Sequence, residues 1–314
     1  METTKLGMET VKKLPKQRFR RFSGEERVAY ICLIPAFLGL AFLTYLPLLA
    51  VLGISMTNWS GLTSPEFIGF ENYIKLFTTD PYIKDSIIAT LYFSFLSVIG
   101  SMIYSLFIAI LLNRKIPARG FFRAVFYVPY VLPAVAIYVG WSWLYEANFG
   151  FFNYLLSEIG LDKILFIADS RYVVPSLSLI AVWLSGNLIV IFLAGLQNVP
   201  GIYYEAAEID GANGWQRFWH ITLPGISPIF FYNLLLSLIA NFQVVTPSLV
   251  LTNGGPGNAS RFMTYLMYDQ AFVNNKLGYA GATTFIIFII IALFTAILFR
   301  TSNRWIFQEG GDDK

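Results

Sequence analysis

A few uncharged polar side chains interrupt long apolar stretches of the sequence, and their types set the chemistry open to it. Asn233, Ser237 and Asn241 recur at i, i+4 and i+8, which puts them on one face of a helix. Two carboxamides and a hydroxyl donate and accept hydrogen bonds without carrying charge, which suits an interhelical bond or a bound neutral polyol. Left in lipid without partners they would be costly, so that face must point into protein or a wet cavity. Ser185 and Asn187 are the nearest comparable groups upstream, with the aromatics Trp183 and Phe242 beside the two sets. A third concentration lies at 198–224, where Glu205, Asp210 and the one histidine, His220, accompany Trp215, Phe218 and Trp219. One histidine and one cysteine, Cys32, supply neither a disulfide framework nor a usual zinc site. No G-x-x-x-x-G-K-[ST] stretch occurs, so the chain does not cradle ATP phosphates through a P-loop.

These residues must be positioned by membrane helices. Of 314 residues 56% are hydrophobic and 13% charged, with a mean hydropathy of +0.60. Six runs lack Asp, Glu, Lys, Arg and His altogether: 30–56, 86–112, 124–145, 173–197, 226–251 and 280–299. Each reaches the length a bilayer crossing needs, and six such runs leave no polar face to cover a soluble core. The expected architecture is an all-α integral membrane protein with six transmembrane helices. Lys and Arg set its orientation. With the N-terminus inside, sixteen fall on the inner side and six on the outer, so both termini are expected to be cytoplasmic. Residues 1–27 read as a basic cytoplasmic tail, 28–305 as the six-span domain and 306–314 as a second tail. Spans without ionisable residues disfavour a proton relay, a charged selectivity ring and a membrane hydrolase, so the chain reads as no enzyme. The net charge of +3 does not point to nucleic acid.

Two short helices are expected in the inner loop between spans four and five. The first covers 203–209 and ends at Gly211 in a left-handed cap; the second begins near Asn213 and stops at Pro224. Trp215, Phe218, Trp219 and Thr222 fall at i, i+3, i+4 and i+7, an aromatic face that by itself also fits a helix lying in the headgroup layer.

Spacing adds a specific signal. Glu205-Ala206-Ala207, then Gly211, then Ile221-x-Leu223-Pro224 resembles the E-A-A-x3-G-x9-I-x-L-P loop of ABC importer permeases at all seven fixed positions. At about 7% per residue, seven positions coincide by chance on the order of once in 10⁸ starts. The resemblance spans roughly residues 28–305 and narrows to maltose-type carbohydrate permeases. It is carried further by Phe67-x-Gly69-x-x-Asn72-Tyr73, by Arg123 with Pro129, Pro133 and Trp143, and by Leu251-Thr-Asn-Gly-Gly-Pro256.

That resemblance implies a coupling helix seated on a separate ATPase, carried here by Glu205, Ala206, Ala207, Asp210, Gly211, Trp215, Phe218, Ile221, Leu223 and Pro224. It implies a heteromeric sugar importer in a prokaryotic cell membrane. The partners would be a second permease, two ATPase subunits that bind ATP and Mg, and an extracytoplasmic sugar-binding protein; this chain itself would hold no cofactor. It also implies a sugar near the middle of the bilayer at Ser237 and Asn241, extending the candidate set to Ser185, Asn187, Asn233 and Phe242. Ala240 and Val244 are smaller here than the aromatic or amide groups of the family. A stand-alone channel or gradient-driven carrier also lacks a P-loop, but the E-A-A loop has no use in one. Ser94, Ser97, Ser101 and Ser105 beside Gly100 read as a small-residue packing stripe in span two, with a polar pore lining as the other reading.

Overall fold

The computed structural model describes residues 24–302 and 305–306, so residues 1–23 of the expected basic tail and most of the expected C-terminal tail lie outside the described residues. Among the described residues the chain is helical, apart from one isolated antiparallel bridge between Thr57 and Phe67. Contacts divide it into two units, Met1–Ala50 and Val51–Lys314. In the first, α1 (Gly24–Leu40) runs through a π turn (Ala41–Tyr45) into α2 (Leu46–Ser55). Its large side chains, among them Ile31, Phe37 and Leu43, are exposed all round, as expected of a helix whose surroundings are lipid or other protein.

The second unit continues with α3 (Glu71–Thr78), α4 (Ile83–Asn113), α5 (Arg119–Val131), α6 (Ala134–Leu144) and α7 (Phe151–Glu158). Then follow α8 (Val173–Trp183), α9 (Gly186–Asn198), α10 (Gly201–Ile209), α11 (Gly214–Arg217), α12 (Leu223–Gly225) and α13 (Ser227–Phe242). The chain closes with α14 (Met263–Tyr268) and α15 (Leu277–Ser302). Further π turns lie at Phe218–Thr222, Ser248–Thr252 and Asp269–Val273.

Among the described residues three helices are long and apolar enough to cross a membrane, Val28–Ser55, Ile83–Asn113 and Leu277–Ser302, and three bent pairs raise the number to as many as six. The runs 124–145, 173–197 and 226–251 are therefore not the straight helices that hydropathy alone suggests. α5 and α6 meet at 99°. Pro133 lacks an N–H, and its ring forces Leu132 out of the helix to φ −70°, ψ 150°. α8 and α9 bend by 48° at Ser185-Gly186, where Ser185 Oγ donates to the Val182 carbonyl at 2.6 Å. At the fifth run the preceding segment Gly214–Gly225 meets α13 at 69°, and the run itself leaves the helix after Phe242. The 16 residues of α13 span only about 24 Å, short of a bilayer's roughly 30 Å.

α4 is the central post, packed against α8, α9 and α13. Ser94, Ser97, Ser101 and Ser105 are all buried on it. The Oγ atoms of Ser94 and Ser97 have no hydrogen-bond partner among the described residues, so their small volume is what those positions use. At Gly100 a Cβ would lie 2.6 Å from Val182 Cγ2, which is why α8 can approach so closely. Phe93, Tyr138, Leu177 and Phe262 form one apolar cluster along this post, and Met102, Phe192, Leu196 and Ile226 a second. The 67–73 motif acts locally: buried Asn72 donates to the carbonyls of Ser55 (2.9 Å) and Thr57 (2.7 Å), and the Tyr73 hydroxyl meets Ser55 Oγ at 2.6 Å.

Candidate functional site

Two of the three helix breaks open onto one pocket. A cavity of about 320 Å³ is lined by Leu132 and Ala134 on either side of the α5–α6 break and by Leu184, Ser185 and Asn187 at the α8–α9 break. Ser237, Ala240 and Asn241 of α13 close it, with Ser101 of α4 behind. The sequence-derived set thus divides. Ser185, Asn187, Ser237 and Asn241 share this pocket, whereas Asn233 and Phe242 lie outside it. Asn233 is fully buried and donates Nδ2 to the Leu188 carbonyl at 3.1 Å, an α13–α9 tie within protein. Phe242 is also buried, its ring 5.2 Å from that of Phe294. The i+4 spacing holds along α13, but its packing on α9 puts the first member in the seam and leaves the next two at the pocket.

Within the pocket Asn241 Nδ2 donates to Ser237 at the carbonyl (2.7 Å) and at Oγ (3.3 Å), leaving the amide oxygen without a partner among the described residues. Ser185 Oγ lies 2.9 Å from Ser105 Oγ, which ties the α8–α9 break to the central post. Asn187 has no hydrogen-bond partner among the described residues. Among the described residues no Asp, Glu, Lys, Arg or His lines the cavity. Tyr130 and Tyr138 contribute two aromatic walls that sequence reasoning missed, Tyr130 half exposed at the rim and Tyr138 buried. The available signal was Pro133 inside an apolar run, since a break there carries the flanking residues to a cavity. Trp183 faces away, edge-on to Trp141 at 5.6 Å between ring centroids.

The loop between α9 and α13 is the second site. α10 ends as expected: Gly211 takes φ +75°, its N–H donates to Glu208, and the Ala212 N–H reaches back to the Ala207 carbonyl at 2.9 Å. This is a Schellman cap. Asn213 starts α11 through a reciprocal capping box with Gln216, with bonds of 2.9 and 2.8 Å. Pro224 does not stop the second helix. The π turn at Phe218–Thr222 shifts the hydrogen-bond register, and Pro224, whose missing N–H needs no acceptor, sits in the first turn of α12. The Tyr204 hydroxyl meets Thr222 Oγ1 at 2.9 Å and joins the two halves. Thr222 is accordingly buried under the loop, apart from the aromatic face.

Glu205, Ala206, Asp210 and Gly211 are exposed, and Ala207, Phe218, Ile221, Leu223 and Pro224 half-buried. Trp215 remains 70% exposed although it packs on Phe218 and Trp219, which leaves a large apolar surface open. Elsewhere on the loop a cavity of about 650 Å³ lies between α9, α10, α12 and the start of α13, with Val199, Tyr203, Ala207, Ile221 and Pro228 among its walls.

Comparison with known proteins adds four findings. The family model described as binding-protein-dependent transport system inner membrane component matches residues 101–308. The probable ABC transporter permease protein YesP of Bacillus subtilis (strain 168) is 33% identical over 301 residues, 95% of this chain and 97% of its own. The multiple sugar-binding transport system permease protein MsmF of Streptococcus mutans is 32% identical over 282 residues, 87% of this chain and 94% of its own. Among solved structures, a bacterial ABC transporter involved in the import of the acidic polysaccharide alginate has a chain that superposes with a TM-score of 0.75 at 22% identity. It covers 89% of this chain and 96% of that one, and shares its fold.

Proposed function

The chain belongs to the family of binding-protein-dependent transport system inner membrane components, and from that premise we propose that it is one permease subunit of an ATP-driven sugar importer. In this reading six spans, three of them broken, carry a passage whose inner mouth bears the loop 201–224, with both termini on the cytoplasmic side. A second, related permease supplies the other half of the passage. Two ATPase subunits receive the exposed loop, and an extracytoplasmic sugar-binding protein delivers substrate. The ATP and Mg belong to those ATPase subunits.

The exposed, rigidly capped loop carries the reading. A solvent-facing aromatic cluster that follows a Schellman cap and a capping box is pre-organised for a protein partner, and Glu205 and Asp210 on the preceding helix supply charges for that partner. The pocket at the helix breaks supports a neutral ligand: amides and hydroxyls for its hydroxyl groups, tyrosine rings for its apolar faces, and no cation to hold an acid. Exposed Tyr130 and Leu132 at its rim leave room for the second permease to complete it.

The test is reconstitution of the chain with its native partners in proteoliposomes, followed by uptake of a panel of neutral mono- and oligosaccharides. Uptake should require ATP, the binding protein and every subunit. Sugar flux through this chain alone, down a gradient and without ATP, would overturn the importer reading in favour of a stand-alone channel or carrier.

A further inference from the structure

Arg123 stood out in the sequence, and neither the pocket nor the loop uses it. It lies one turn beyond Arg119 on α5, so both guanidiniums leave the same face of that helix. They converge on the last turn of α9. The donors around it fix the orientation of the Gln197 carboxamide: turned with its oxygen toward the arginines it accepts from Nη2 of Arg119 and from Nη2 of Arg123, at 3.1 Å each, where an NH2 group in that place would meet only donors. Arg119 also donates Nε to the Leu112 carbonyl at 2.6 Å, at the C-terminal end of α4. Neither arginine has a carboxylate within 4.0 Å among the described residues. Nε of Arg123 is buried without a partner, so Gln197 is the one acceptor its guanidinium has there. The charges rest instead against the C-terminal ends of α4 and α9, where the helix dipole is negative.

α5 and α9 each run between the two candidate sites. α9 begins beside Ser185 and Asn187 at the pocket and ends at Asn198, three residues before α10 of the loop. α5 carries Arg119 and Arg123 at one end and Tyr130 and Leu132 of the pocket at the other. The two helices pack antiparallel and meet again near the pocket, where a Cβ on Gly186 would lie 2.7 Å from the Phe126 carbonyl oxygen. A pair of rods in backbone contact at the pocket end and bridged at the loop end moves as one body. Without the bridge, displacement of the loop end of α9 need not reach α5.

We propose that the Arg119–Gln197–Arg123 bridge is the positioning element that ties the loop 201–224 to both walls of the pocket, so that ATP-driven movement of the loop reshapes the pocket. The proposal rests on the importer reading and assigns these three residues a role in transmission, separate from ligand contact and from ATPase contact. Gln197→Ala removes both acceptor bonds at an exposed position and leaves the helix intact. Gln197→Glu keeps an acceptor for both arginines and strengthens each bond with charge.

The experiment needs no sugar. In a Cys32→Ser background carrying Ala240→Cys at the pocket, the complete complex is purified with its partners and treated with a maleimide, with and without ATP and orthovanadate. Trapping should change the labelling rate about tenfold, within the 5- to 150-fold range of ordinary coupling energies. Gln197→Ala should shrink that change below about twofold while subunit content and basal ATP hydrolysis stay the same, and Gln197→Glu should restore it. An undiminished response in Gln197→Ala would overturn the bridge alone. A loss of assembly or of basal hydrolysis in Gln197→Ala, unrepaired by Gln197→Glu, would make the residue merely structural and overturn it too. A background complex whose labelling ignores ATP would overturn the importer reading, and the bridge with it.

Discussion

Replacing Asn241 by alanine separates ligand binding from packing, because Asn233, two turns earlier on the same helix, supplies the opposite case. Asn241 lines the pocket, is half-buried and keeps its amide oxygen free, with Nδ2 already engaged by Ser237. Its truncation leaves no buried group unpaired, since the Ser237 carbonyl retains its helical partner. What disappears is an acceptor with two lone pairs facing the cavity. Two hydrogen bonds to substrate hydroxyls at about 0.5–1.5 kcal/mol each amount to about 1–3 kcal/mol, a loss of roughly 5- to 150-fold in affinity. Asn233 is fully buried and bonded across to Leu188. Its truncation should weaken the α9–α13 contact by about 0.6–1.7 kcal/mol, the range for interhelical hydrogen bonds in membranes, without removing a polar side chain from the pocket. Uptake should be measured per assembled complex, against substrate concentration, with assembly and detergent thermostability followed alongside. Asn241→Ala should raise the half-saturating concentration and spare thermostability; Asn233→Ala should do the reverse. Unchanged uptake per complex in Asn241→Ala, with reduced assembly, would refute the pocket as the substrate site.

At Gly211 nothing lies within 4 Å of a built Cβ, so backbone conformation alone limits substitution at φ +75°. Gly211→Asp should cost about 1–2 kcal/mol in the loop and abolish ATP-dependent uptake while the chain still inserts, and Gly211→Asn, which tolerates positive φ better, should retain more; normal uptake in the Asp variant would refute the coupling role. Gly100→Leu should lower the yield of folded chain in a fluorescence size-exclusion assay, because even a Cβ there meets Val182 at 2.6 Å; unchanged yield would contradict close α4–α8 packing. Trp215→Ala, 70% exposed, should leave thermostability within about 0.5 kcal/mol yet weaken co-purification of the ATPase, and unchanged co-purification would remove the aromatic face from that contact. Glu146 accepts from the backbone N–H groups of Phe149 and Asn148, which holds its carboxyl below the usual range. A lowered carboxyl stabilises above the ordinary carboxylate pKa and loses that as pH falls through its own value, so protease protection of 146–149 should stay flat from about pH 8 to 5 and decline only below about 4.

Composition and hydropathy made the membrane class legible, because charge-free runs of twenty or more residues admit little else. They could not reveal where a run breaks. The bend at Leu132 was foreshadowed by Pro133, yet Pro35 lies within α1, so proline alone does not decide. At Ser185-Gly186 the deciding facts are tertiary: Ser105 reaches Ser185 from eighty residues away, and the Phe126 backbone occupies the place of a side chain at Gly186. The loop was more legible because its signals are local. Gly211 and Asn213 can each be read within a few residues of sequence, whereas the fate of Pro224 depended on a π turn that no propensity scale encodes. Within the candidate site the i, i+4, i+8 pattern put three side chains on one face but could not say where the neighbouring helix would cross it, and that crossing separates Asn233 from Ser237 and Asn241.

The breaks would let a sequence without ionisable residues in its spans offer polar groups to a hydrophilic ligand of the kind proposed above. An unbroken helix satisfies its own backbone and offers a passage only side chains, and here the polar ones are short and few. A break exposes backbone groups and a helix end, which lipid would not tolerate, so it must face protein or a cavity. Two breaks face the same cavity, at Leu132-Pro133 and at Ser185-Gly186, and α9 starts there with Ser185 as its N-cap. The pocket therefore draws on backbone polarity from two spans as well as on Asn187, Ser237 and Asn241. The sequence dependence of such a site lies in the prolines, glycines and serines that make the breaks. Pro133→Ala would let α5 and α6 straighten toward one helix and carry Leu132 and Ala134 away from the cavity. Uptake should fall by more than in Asn241→Ala, because the substitution removes a wall where Asn241→Ala removes an acceptor. Equal or smaller loss in Pro133→Ala, at equal assembly, would show that the bend is held by packing against α9 and not by the proline.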